Sequence, residues 1–365
     1  MLPALIGVRP VLVVSPLVSL MTDQEARARA LGLRAAALHA GLDRSRREAV
    51  LRDFARGEVD LLLVAPERLG HASFAPLLRA GAVGLVAVDE AHCVVHWGFD
   101  FRPDYLALAG LGRRLGAPVL AVTATATPRV RADLERVLQL RDPVRVATSF
   151  NRPNLFWTAP AVQTDEQRWR HLRREVERPG AMLVYAPTRA RVEALRRALA
   201  RLGIEAEAYH AGLGAVERAR VQERFLAGHV DMVVATNAFG MGVDKADVRA
   251  VVHWSPPSSP EAWYQEAGRA GRDGQPARCV MLWQSADLRI HRRLQRQERR
   301  SWTQRWAAAK RLQALFRMLG TRGCLRGAML HYLGEENPPT GCVGCDRCVP
   351  LCRSDAGLSS VRAHS

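Results

Sequence analysis

Residues 86–92 read VAVDEAH, a short apolar run that ends on two adjacent carboxylates. Such a run is predicted to be a β-strand with Asp89 and Glu90 at its C-terminal edge, where parallel α/β sheets bind their ligands. Asp89 then suits Mg²⁺ held through water, and Glu90 suits the orientation and deprotonation of an attacking water. The same tetrapeptide also fits a capped strand end, so its surroundings must decide between the two.

Outward from this strand, apolar β-rich runs recur at residues 11–14, 34–38, 60–64, 84–89 and 118–122. Segments of helical periodicity, such as 22–31 and 44–54, lie between them. A second alternation follows residues 151–154, with strands predicted at 181–185, 205–209, 231–235, 250–253 and 277–282. Its helices are predicted at 189–202, 215–226 and 260–268. Repeated βαβ alternation implies a parallel sheet covered by helices. The proline-bearing stretch TSFNRPN marks the linker between two such lobes. From Ser285 the character turns helical and basic (HRRLQRQERRSWTQRWAAAKRLQALFRML), and a cysteine cluster follows it.

The chain has 365 residues, 48% of them hydrophobic, a net charge of +17 and a pI near 10.8. That balance favours a polyanionic partner over a neutral small molecule, because neutralising phosphates releases counterions. Only two of the 53 basic side chains are lysines, Lys245 and Lys310. Cys93 and Cys279 stand alone, whereas Cys324, Cys342, Cys345, Cys348 and Cys352 crowd together, which reads as metal binding in a reducing compartment. The apolar N-terminus has no leading positive charge and is interrupted by Arg9 and three prolines, so it is not read as a signal peptide. No run reaches the roughly 18 uninterrupted apolar residues of a membrane span.

Read onward, DEAHCVVHWGFDFRPDY resembles the Walker B motif and aromatic-rich loop of the RecQ family of superfamily 2 helicases. VVSPLVSLMTDQ (13–24) resembles motif Ia, VAPERL (64–69) the motif after it, AVTATAT (121–127) motif III and SFNRPN the interdomain linker. YAPTRARVE, YHAGL, VVATNAFGMGVDKADVRAVVHW and YQEAGRAGRDG resemble motifs IV to VI in order. The resemblance covers almost the whole chain. It implies an α/β fold of two tandem RecA-like parallel-sheet lobes followed by a helical zinc-binding subdomain. The corresponding boundaries are 1–148, 149–285, 286–352 and a loose tail at 353–365.

The resemblance also implies roles. Asp89, Glu90, His92, Gln265, Arg269 and Arg272 form the catalytic set, and Asp89, Asp244, Arg269 and Arg272 contact ATP and Mg²⁺. Arginines at such positions present a planar fork of donors to the γ-phosphate. Trp97, Phe101 and Arg102 resemble the loop that couples DNA contact to ATP turnover, with His96 and Phe99 in place of the family's usual Gln and His. Ser15, Ser19, Arg68, Thr188, Arg189, His210, Gly212 and Thr236 are expected to contact the backbone of single-stranded DNA, though each also suits a helix cap or turn. The partners implied are single-stranded and partially duplex DNA, with no membrane. A monomer in the cytoplasm, associated with the nucleoid and moving 3′ to 5′, is the expected form.

Cys324, Cys342, Cys345 and Cys348 follow the pattern Cys-x17-Cys-x2-Cys-x2-Cys, which suits one tetrahedral structural Zn²⁺. The segment resembles the family's zinc-binding subdomain. Cys352 is a spare that would replace Cys324 under another helix placement, and an iron–sulfur or redox role is the alternative. A Gly-x4-Gly-Lys-[Ser/Thr] phosphate-binding loop does not occur, since Lys245 follows Asp244 and Lys310 follows Ala309. The resemblance begins just after that loop, so a strand central to the first sheet is expected to be missing, leaving unpaired backbone and an apolar edge. The chain as written is expected not to hydrolyse ATP at family-like rates, and nothing after Cys352 suits a winged helix. Two rivals remain open: a non-enzymatic single-stranded-DNA-binding module and an RNA helicase of the same superfamily.

Overall fold

The computed structural model describes residues 1–16, 18–71, 74, 83–96, 107–240, 244–297, 302–336 and 341–349, with the side chains of Ser19, Val95, His96 and 294–297 excepted. They form two compact units, Met1–Ala147 and Thr148–Ser365.

The first unit holds β1 (Val11–Val14), β2 (Ala35–Leu38), β3 (Leu61–Val64), β4 (Leu85–Val88) and β5 (Val119–Ala121). All pair in parallel, in the order β2-β3-β1-β4-β5. β1, β2 and β3 are buried along their whole length, as expected of strands covered on both faces, which is why they read as unbroken apolar runs. β5 is different. It lies at one edge, and Leu120 and the neighbouring Val122 are 44% and 50% exposed.

The opposite ends of the strands are closed by charge. Arg34 donates to Asp60 from its backbone N–H (2.9 Å) and its guanidinium (2.8 and 3.1 Å), and Arg9 adds a longer contact. The hydrogen bonds from Arg34 hold the buried Asp60 carboxyl down at about 2. Asp43 caps the helix Arg44–Ala55 by accepting from the N–H of Arg46 (2.7 Å), and Thr127 caps Pro128–Leu138, which starts on proline.

The second unit adds β6 (Leu155–Thr158), β7 (Ala181–Tyr185), β8 (Glu207–Tyr209), β9 (Met232–Ala235), β10 (Val248–His253) and β11 (Ala277–Met281), in the parallel order β6-β11-β10-β7-β9-β8. β6 was not among the strands read from sequence. It follows the Asn151-Arg-Pro-Asn linker directly and is only four residues long, yet all four are buried. The basic segment divides into helices Asp287–Gln297 and Trp302–Leu319, followed by Leu325–Leu333. These helices share the core of the sheet: Leu315, Leu319, Leu325 and Met329 pack in one cluster with Leu155, Trp157, Trp263 and Ala267. Trp157 meets Trp263 edge to face at 5.1 Å.

The cysteine turn extends this sheet. Trp157 of β6 donates its N–H to the Gly344 carbonyl (2.9 Å) and accepts from the N–H of Asp346 (3.0 Å), so the turn pairs with the open side of β6. The Asp346 carboxylate accepts from the Thr158 hydroxyl (2.9 Å) and the Ala159 N–H (2.8 Å). Arg326, buried beside Gly344, donates to the carbonyl of Leu155, and a Cβ at Gly344 would collide with that guanidinium. Elsewhere the buried Arg168 reaches both oxygens of the buried Asp287 (2.9 and 2.7 Å), tying the helix Asp165–Val176 to the start of Asp287–Gln297.

Candidate functional site

In the first unit, β4 delivers Asp89 beside the end of β1, where its N–H donates to the Val14 carbonyl (2.9 Å). Asp89 accepts from the Glu90 N–H (3.0 Å) through one oxygen and from the Gln24 amide (3.2 Å) through the other. Glu90 takes the left-handed conformation with φ 45°, a strained geometry for a side-chain-bearing residue that occurs preferentially at functional positions. His92 Nδ1 lies 2.9 Å from the Thr123 hydroxyl and 3.2 Å from a Glu90 oxygen. It therefore joins the DEAH segment to AVTATAT. Burial, with the charges of Glu90 and Asp89, pushes the neighbouring Cys93 thiol up to about 12, so this thiol is inert.

Sequence placed Ser15 and Arg68 along a DNA track. Ser15 is fully buried at the end of β1 with its hydroxyl enclosed, because it continues a strand covered on both faces; it does not present a phosphate contact at the surface. Arg68 is half-buried on the short helix Pro66–Leu69, and its Nε has no partner among the described residues. Trp97, Phe101 and Arg102 lie outside the described residues, as do Cys352 and the side chain of Ser19.

In the second unit, the helix Pro260–Ala267 carries Gln265, which is partly exposed, and leads into Arg269 and Arg272. Arg269 is 7% exposed and has no carboxylate within ion-pair distance among the described residues. It lies against Gly240, where a Cβ would stand 3.1 Å from its Nη2. Tyr185, whose hydroxyl is pushed up by burial and opposed by the Arg269 charge, donates to the Phe239 carbonyl (2.6 Å) and stacks on His253. His253 Nε2 contacts Glu266 at 2.9 Å. Arg152 donates to the carbonyls of Gly271 (2.7 Å) and Ala270 (3.2 Å), and Asn154 donates to Gly271 (2.8 Å). The segment read as a linker thus also fixes the turn that carries the arginines. Arg272 and Asp244 form an ion pair at 2.7 Å.

Three expected DNA contacts converge. Arg189 lies within 3.2 Å of the Cβ position of Gly212, whose N–H donates to His210 Nδ1 (3.2 Å). The other His210 nitrogen faces Glu193 at 3.2 Å. The hydroxyl of Thr188, next to Arg189, caps the helix Arg189–Arg201 by accepting from the Arg191 N–H (3.2 Å). Thr236 is buried, and its hydroxyl accepts from the Ala238 N–H (3.4 Å). Sequence reading passed over Gln24, Tyr185, Gly240, His253 and Glu266 as individuals, although each lies inside one of the quoted motif stretches.

The Sγ atoms of Cys324, Cys342, Cys345 and Cys348 all lie within 4.8 Å of one another, with Cys345 at 3.8 Å from both Cys324 and Cys342. Four thiolates around one Zn²⁺ at about 2.3 Å stand about 3.8 Å apart, so the set fits that ion. Burial opposes ionisation of Cys345, but the N–H groups of Arg326, Cys348, Leu325 and Arg347 outweigh it and hold the thiol at about 7. Gly327 and Gly344 donate N–H groups to Cys324 and Cys342. No ligand position remains open for chemistry.

Comparison with known proteins agrees with this arrangement. The DEAD/DEAH box helicase family matches residues 1–134, the helicase conserved C-terminal domain matches 167–274, and the RecQ zinc-binding family matches 285–349. The class is that of two-lobed helicases with RecA-like parallel sheets. The chain is 39% identical, over 98% of its length, to the ATP-dependent DNA helicase RecQ of Pasteurella multocida, and 37% identical to that of Haemophilus influenzae, also over 98%. It belongs to the RecQ family of superfamily 2 helicases. The chain spans 56% and 57% of the length of those two relatives. A solved structure of Mycobacterium smegmatis helicase Lhr bound to ssDNA and AMP-PNP aligns over 79% of this chain and 42% of that one, with a TM-score of 0.56 and 23% identity, a likeness of fold. Among the described residues no helix is long and apolar enough to cross a membrane.

Proposed function

We propose that this chain carries the motor residues of a RecQ-type ATP-dependent DNA helicase that moves 3′ to 5′ on single-stranded DNA and opens duplexes during repair or recombination. The observation that carries this reading is Arg269. A guanidinium so deeply buried, with no carboxylate partner among the described residues, is unfavourable unless an anion completes its surroundings. Gly240 below it and Tyr185 beside it hold the fork in place, as phosphate recognition requires. Asp89 would hold Mg²⁺, which supplies charge neutralisation to phosphate chemistry, and Glu90 would orient the attacking water. Asp244 and Arg272 would contribute further nucleotide contacts. Arg189, His210 and Gly212 would contact the DNA backbone. The four cysteines would hold Zn²⁺. The partners are single-stranded and partially duplex DNA, and the proposed working form is a monomer at the nucleoid.

A Gly-x4-Gly-Lys-[Ser/Thr] run is absent from residues 1–365. This favours a second reading for these residues taken alone, binding of single-stranded DNA without turnover. The experiment is ATP hydrolysis stimulated by single-stranded DNA, with RNA as control, for residues 1–365 and for the same residues joined to a RecQ phosphate-binding loop. Turnover only in the joined form, lowered about 10³-fold or more by Arg269→Ala, supports the motor reading. Turnover unaffected by Arg269→Ala refutes it, and DNA binding with no turnover in either form selects the binding module.

A further inference from the structure

The helix Trp302–Leu319 turns one side to the core through Ala308, Leu312, Leu315, Met318 and Leu319. On the opposite side stand Trp302, 78% exposed, and Trp306, 50% exposed. Their i,i+4 spacing puts both indoles on one face, about 6 Å apart along the axis. A tryptophan buries more apolar area than almost any other side chain, so two neighbouring indoles facing solvent are an unusual outlay of surface. The charged residues of the helix itself have a single sign. The helix contains Arg305, Lys310, Arg311 and Arg317 and no Asp or Glu. Arg305 and Arg317 are exposed and have no ion pair among the described residues. Lys310 places its ammonium 3.8 Å from the centre of the Trp306 ring. That contact orders a ring that is half exposed, so a planar group stacking on it loses less rotamer entropy. The preceding helix adds exposed Arg289, Arg292 and Arg293.

We propose that this face is an additional, sequence-independent platform for single-stranded DNA. Trp302 and Trp306 stack on bases, while Arg305, Lys310 and Arg317 meet phosphates. Aromatic faces interleaved with cations are the means by which proteins hold single strands without reading sequence. A second copy of the chain suits the face poorly, since a two-fold contact would set like charges against each other. The choice of DNA as the strand rests on the helicase reading above, whereas the platform itself rests on the helix.

The test is binding of fluorescein-labelled oligo(dT) across a salt series by wild type, Trp302→Ala/Trp306→Ala, Trp302→Phe/Trp306→Phe and Arg305→Ala/Arg317→Ala. Circular dichroism and zinc content check that each variant is folded. The alanine pair is expected to weaken binding about tenfold or more and to lose quenching of tryptophan fluorescence by oligo(dT), with the phenylalanine pair retaining most of the affinity. The arginine pair is expected to lower the slope of log K against log salt by about one per lost phosphate contact. Unchanged affinity and slope in both pairs overturn the platform while leaving the helicase reading intact. A wild-type chain that binds no oligo(dT) at any salt overturns both. An alanine pair that changes only sedimentation, or only binding to phosphatidylglycerol vesicles, assigns the face to self-association or to lipid and overturns the platform.

Discussion

His253, the last residue of β10, and Glu266, on the helix Pro260–Ala267, face each other at 2.9 Å between Nε2 and a carboxylate oxygen. The pair joins a strand end to the helix that leads into Arg269, and both residues are largely enclosed. Glu266→Ala leaves the His253 ring without this partner and is expected to lower the stability of the second unit by about 1–3 kcal/mol. Glu266→Gln keeps an acceptor and should lose less. Urea unfolding followed by tryptophan fluorescence measures both; equal losses would show that the contact is not the cause.

Arg168 and Asp287 make a buried ion pair, and Asp287 also accepts from the N–H of Gln284 (2.9 Å). Asp287→Ala should cost about 3 kcal/mol, because it leaves the enclosed guanidinium with only the half-exposed Asp165 (3.2 Å) as counter-charge. Arg168→Met combined with Asp287→Leu should recover much of that loss. A double variant no more stable than the single one would count against the desolvation argument.

Purified chain is expected to hold one zinc and to be colourless, whereas an iron–sulfur cluster would absorb visible light. Chelation should release the Trp157 and Asp346 N–H groups to fast hydrogen exchange before those of β7 and β10, since the cysteine turn pairs with the edge of the sheet. Exchange that stays slow at those two amides after the metal is removed would show that the turn does not depend on it.

Asp60 supplies a dependence on acidity. Its carboxyl is held below the unfolded value of about 3.8, so its stabilising effect is complete above that pH. The effect fades as pH falls toward about 2, where the folded-state group protonates. It is worth at most about 2 kcal/mol at neutral pH. Asp60→Asn should therefore reduce the stability of the first unit at pH 6 far more than at pH 2. Equal destabilisation at both pH values would place the effect in packing.

The parallel sheets were legible because strands buried on both faces must be apolar throughout, as VLVV of β1 and LLLV of β3 are. β6 escaped because its four residues follow a proline-bearing linker and have no helix before them to complete a repeat. Motif stretches placed Asp89, Arg269 and the cysteines in the right regions, yet which atoms meet depends on tertiary packing. Nothing in VVSPLVSLMTDQ says that Gln24 turns toward Asp89, and nothing in SFNRPN says that Arg152 holds the turn after the helix Pro260–Ala267. Thr188 shows a second role that its motif did not announce: its hydroxyl accepts the capping hydrogen bond of a helix.

The near absence of lysine gives the Lys310–Trp306 contact a practical side. Lys245 is 9% exposed and paired with Asp247, while Lys310 lies in the open on the helix Trp302–Leu319. Apart from the N-terminal amine, an amine-reactive dye has one accessible target in the whole chain. The protein therefore comes with a built-in conjugation handle, and a fluorophore coupled there would report on anything that touches Trp306.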